Sequence, residues 1–116
     1  MARILLVEDE PLIGAMTEEW LIDLGHEIVG PAVDVASAIR LAETEIDAAI
    51  VDLSLGRDNG YPVADILIAR GRPFAFATGY GPEALKPEYR GHPTLSKPFE
   101  FETFRRTVAS LLAGRE

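Results

Sequence analysis

Ile4-Leu5-Leu6-Val7-Glu8-Asp9-Glu10 is the stretch that decides the fold. Its apolar half is β-branched and Leu-rich, as suits a strand buried on both faces. Its acidic half stops that strand abruptly. Pro11 follows, a residue suited to the first turn of a helix. Leu12, Ile13, Met16, Trp20, Leu21 and Leu24 then recur at helical spacing, and Gly25 is a natural stop. The apolar run is too short for a signal peptide with a cleavage site, and far too short to span a bilayer.

Outward from this unit the pattern repeats. Glu27 to Ala32 reads as a weaker strand, and Asp34 as the N-cap of a helix carrying Ala38, Ile39, Leu41 and Ala42. Ala48 to Leu53 is a third strand, followed by a loop from Gly56 to Gly60 and a helix from Tyr61 to Arg70. Phe74 to Thr78 is a fourth strand and Thr94 to Ser96 a short fifth. Between them Gly79 to Pro93 leaves room for one short helix around Glu83 to Lys86. The last helix spans Glu100 to Leu112, with Phe101, Phe104, Val108, Leu111 and Leu112 as its apolar face. Strands alternating with helices imply a parallel sheet with helices on both faces, an α/β three-layer sandwich with right-handed crossovers.

Composition narrows the function. The 116 residues fit one domain, and 11 Lys+Arg against 19 Asp+Glu give a net charge of −8. An acidic chain is ill suited to non-specific binding of nucleic acid or anionic membrane. The lack of cysteine excludes disulfides, thiolate metal sites and Cys nucleophiles, and fits a cytosolic protein.

Ligands of an open parallel sheet bind beyond the carboxyl ends of its strands. Glu8 and Asp9, Asp52, Thr78, and Lys97 before Pro98 all fall there. A phosphate-binding loop would offer glycines after the first strand; this chain offers carboxylates, which suit a hard cation such as Mg²⁺. Glu10 reads as an acid favouring the N-terminus of the first helix. Asp52 sits in a run that should be buried, where a lone carboxylate is costly unless paired or metal-bound, and Lys97 is the available counter-charge. A carboxylate nucleophile accepts a phosphoryl group to give an acyl phosphate. Asp52 would attack. Mg²⁺ would sit on Asp9, Asp52 and the backbone carbonyl of Ser54, with Glu8 orienting its water, and Lys97 and Thr78 would hold phosphoryl oxygens.

With these residues in place, the chain resembles a response-regulator receiver domain. The resemblance rests on Ile4 to Glu10, Asp52, Gly60, Thr78 and Lys97-Pro98-Phe99, and it covers essentially the whole chain. It implies a flavodoxin-like, doubly wound five-stranded sheet of order 2-1-3-4-5. It implies that Asp52 receives phosphate from a sensor histidine kinase with Mg²⁺, and that the Lys97–Pro98 peptide is cis. The stretch Pro73 to Tyr80 resembles a branch of mostly single-domain receivers with a Phe-Ala-Thr-Gly signature, whose kinases are often of the HWE type. The chain is thereby expected to be a signalling module and not a metabolic enzyme, with no attached output domain. Its signal would pass to a partner protein, or it would act as a phosphate sink or relay.

Departures from the family pattern bear on the switch. Receivers usually carry an aromatic residue three before the lysine, where this chain has Thr94, so Tyr80 or the Gly79 to Pro93 segment is the expected route of signalling. Gly56 stands where a proline is usual, and the fourth helix is expected to be stunted. Two other readings compete: a pseudo-receiver that is never phosphorylated, and an Asp-nucleophile phosphohydrolase. The second would want an Asp where Ser54 stands.

Overall fold

The computed structural model describes residues 1–113. Its strands are β1 (Arg3–Val7), β2 (Glu27–Ala32), β3 (Ala48–Asp52), β4 (Ser54–Leu55), β5 (Asp58–Asn59), β6 (Phe74–Thr78) and β7 (Thr94–Ser96). Its helices are α1 (Pro11–Asp23), α2 (Val35–Ala42), α3 (Tyr61–Ala69) and α4 (Phe101–Ala113). Five strands form one sheet in the order β2-β1-β3-β6-β7, and all its pairings are parallel. Counted within that sheet alone, the order is 2-1-3-4-5, the doubly wound flavodoxin-like arrangement.

Alternation along the strands builds the two faces. Leu5 and Val7 of β1 point into one core with Ala38 and Ala42 of α2 and Val63, Ala64 and Leu67 of α3. Ile4 and Leu6 point the other way, toward Leu21 of α1 and Phe104, Val108 and Leu111 of α4. The central strand β3 is buried along its whole length, as a strand covered on both faces must be. Asp34 caps α2 as its sequence suggests, its side chain accepting from the Ser37 N–H at 2.8 Å.

Three features differ from the sequence reading. The short helix placed at Glu83 to Lys86 is instead two single 3₁₀ turns, Pro82–Ala84 and Pro87–Tyr89. Each begins with a proline, which cannot donate into a preceding α-helical turn. The loop after β3 contains a two-residue antiparallel hairpin, β4 with β5. Finally, Leu12 is 86% exposed and Phe101 is also exposed, so neither belongs to the core. Both sit in the first turn of a helix. No helix among the described residues is long and apolar enough to cross a membrane.

Candidate functional site

The carboxyl ends of β1, β3, β6 and β7 open into a cleft of about 480 Å³ lined by Asp9, Glu10, Asp52, Ser54, Thr78, Tyr80 and Lys97, among others. Parallel pairing brings this about: each strand ends at the same rim, so residues far apart in sequence converge. Asp52 closes β3 and is buried. The next helix begins close behind it: Gly60 packs so tightly that a Cβ there would overlap the Asp52 carbonyl oxygen. Thr78 closes β6, also buried, and its carbonyl accepts from the Lys97 N–H at 2.8 Å. The Lys97–Pro98 peptide is cis.

Lys97 organises the charges. Its Nζ lies 2.8 Å from Asp52 Oδ2, 3.0 Å from Glu8 Oε1 and 3.5 Å from Glu10 Oε1. The other Asp52 oxygen, Oδ1, accepts from the Ser54 N–H at 3.1 Å. Glu8 is buried, and its Oε2 accepts from the Glu10 N–H at 3.1 Å. Burial, together with the neighbouring Asp52, pushes the Glu8 carboxyl up to about 7 against the pull of Lys97. Burial works against the Lys97 ammonium, but Asp52 and Glu8 outweigh it and hold its pKa above the usual lysine value.

Glu8, Glu10 and Asp52 present oxygens that all lie within 4.8 Å of one another. Glu10 is the residue the sequence reading missed. It does stand at the N-terminus of α1, as its N-cap residue, but its side chain makes no capping hydrogen bond and faces Lys97. No sequence signal marks it: Glu10 stands in extended backbone at the helix start, and which way its side chain turns is settled by the cleft. Asp9 lines the same cleft, but its Oδ2 accepts a 2.8 Å hydrogen bond from the Gly56 N–H. The donor set fits Mg²⁺: hard carboxylate oxygens, a surplus of negative charge over the single ammonium among them, and an open mouth for water. Tyr80 is 82% exposed beside the cleft, and its N–H donates to Thr78 Oγ1 at 3.1 Å. Thr94 is half-buried on β7, paired with Phe76, and does not line the cleft.

A doubly wound sheet with an acidic, lysine-bearing cleft at its carboxyl rim is the architecture of response-regulator receivers, and the chain belongs to that family. SdrG from Sphingomonas melonis Fr1 is 42% identical, with 97% of each chain covered and a TM-score of 0.84. The receiver domain of the sensor histidine kinase PA1611 from Pseudomonas aeruginosa PAO1, solved with magnesium coordinated in the active site cleft, is 26% identical over 97% of this chain and 98% of its own, with a TM-score of 0.81. Among curated proteins, the transcriptional regulatory protein PdtaR of Mycobacterium tuberculosis is 34% identical over 84% of this chain. The chain spans about half the length of that relative. No family model matches the sequence. These relatives place the chain in bacterial two-component signalling.

Proposed function

We propose that this chain is a phospho-acceptor switch in which Asp52 takes a phosphoryl group from a sensor histidine kinase. The observation that carries the reading is the contact between Asp52 and Lys97 in a cleft that also presents Thr78. A carboxylate oxygen of Asp52 attacks phosphorus, the P–N bond to the donor imidazole breaks, and the imidazole leaves with its electron pair and takes up a proton. Lys97 moves from the carboxylate to a phosphoryl oxygen as charge passes to it, and the Thr78 hydroxyl donates to another. Glu8, Asp9, Asp52 and the Ser54 backbone carbonyl would hold Mg²⁺, with Glu10 beside them. When bound, the ion supplies positive charge that offsets the acidic cluster and the incoming phosphoryl oxygens.

The fine reading of the output is that Gly79 to Pro93, with Tyr80 at its start, changes shape and meets a partner protein. Its two 3₁₀ turns lack the bond ladder of an α-helix and are held by side-chain contacts to α3, which supports a segment that can shift by exchanging those few contacts. A phosphate sink or relay would use the same chemistry without such a surface. Acetyl phosphate with Mg²⁺ is expected to add one phosphoryl group by intact-mass spectrometry, and Asp52→Asn to remove it. Equal labelling of the Asn variant rejects the assignment. Beryllofluoride with Mg²⁺ is expected to shift the amide signals of Gly79 to Pro93; unchanged signals there would reject it as the output surface.

A further inference from the structure

Four acidic side chains stand at the cleft, but they do not act as one group. Glu8, Glu10 and Asp52 cluster, whereas Asp9 is tied to Gly56, 47 positions away at the turn between β4 and β5. The tie depends on a backbone feature of this chain. Gly56 has φ +61, and nothing lies within 4 Å of where a Cβ would stand. The glycine is therefore set by backbone conformation and not by space. Proline here would lack the N–H and could not adopt that φ.

We propose that the Gly56 N–H is a latch that positions Asp9: it holds the carboxylate off the Glu8–Glu10–Asp52 cluster until a divalent cation draws it in. This rests on the reading of the cleft as an Mg²⁺ site. A carboxylate committed to a backbone N–H must give up that bond to ligate, so the latch lowers cation affinity, by about tenfold if it has the worth of a weak charge-assisted hydrogen bond. Its release also removes this bond from the tip of the hairpin that begins at Ser54, whose strands stay paired with each other. Gly56 is thus a positioning residue acting through Asp9, and the hairpin tip reports whether the cation is present.

Solvent exchange of the Gly56 amide, followed by NMR on the full chain, tests this. Without Mg²⁺ the wild-type amide is expected to exchange about tenfold more slowly than in Asp9→Ala. Asp9→Asn, which keeps an acceptor oxygen but loses the charge, should retain much of that protection. At saturating Mg²⁺ the wild-type amide should speed up to the Asp9→Ala rate. Its chemical shift should move with the same half-saturation as those of Glu10 and Ser54. Protection that persists at saturation overturns the latch while leaving the Mg²⁺ site standing, as does equal exchange in wild type and Asp9→Ala without the ion. If no amide around the cleft responds to Mg²⁺, the metal reading fails and the latch with it.

Discussion

Lys97 stands among three acids, two of them buried, and this asymmetry separates the effects of single substitutions. Removing the ammonium leaves Glu8 and Asp52 facing each other out of water. Breaking a buried pair from one side costs about 3–5 kcal/mol. Lys97→Met is expected to destabilise the metal-free protein by about that much in urea melts. Asp52→Asn should act in the opposite sense. The Asn oxygen still accepts from the Ser54 N–H, Lys97 keeps Glu8 and Glu10, and the repulsion between Glu8 and Asp52 disappears. A gain of about 1 kcal/mol is expected, the buried carboxylate being held at a cost to the fold. A loss of stability in Asp52→Asn would show that Lys97 depends on Asp52 alone. Sequence made the partners Asp52 and Lys97 legible, because a carboxylate inside an apolar run asks for a cation. It left Glu10 hidden, since nothing in composition tells whether an acid at a helix start turns toward the helix or toward the cleft.

At the scale of elements, legibility followed periodicity. β2, β6 and β7 lie within the limits that apolar runs set, and the start of α1 was marked by Pro11. What carries no period was not legible. The β4–β5 hairpin is too short for alternation to register, and the segment from Pro82 to Tyr89 owes its place to rings. There Tyr89 stacks on Tyr61 with centroids 4.3 Å apart, and the Tyr61 hydroxyl accepts from the Lys86 N–H at 2.9 Å. Tyr89 in turn donates its hydroxyl proton to Asp65 Oδ1 of α3 at 2.6 Å. That hydrogen bond, with burial and the Asp65 charge added, pushes the Tyr89 phenol up to about 12 from its ordinary 10. The neutral phenol is the form the fold prefers. Its stabilising effect is therefore complete below pH 10 and is lost as pH rises through about 12. A titration of tyrosinate absorbance is expected to show one group ionising near pH 12, absent from Tyr89→Phe and moved back toward 10 in Asp65→Asn. An unchanged titration in Asp65→Asn would detach the turn from α3.

The whole molecule is two cores sharing one sheet, and this has an energetic consequence. Val63 of α3 and Val108 of α4 are both fully buried, but on opposite faces. Truncating either to Ala removes about two methylene equivalents and leaves a small cavity, a loss of about 2 kcal/mol each. Sheet backbone lies between the two sites and they share no partner cluster, so the losses should add to within about 0.5 kcal/mol in the double variant. Cooperative unfolding of a domain this size should persist, with urea melts moving in midpoint and not in slope. The cleft, by contrast, is assembled from the ends of strands that both cores hold in place. Each valine variant is therefore expected to accept a phosphoryl group on Asp52 from acetyl phosphate to the wild-type level, provided the assay stays well below its unfolding midpoint. Coupling of more than about 1 kcal/mol between the two valines would mean that the sheet bends to relieve a cavity across its thickness. In that case the rim should feel the same bending, and phosphoryl acceptance in the double variant should fall before the protein unfolds.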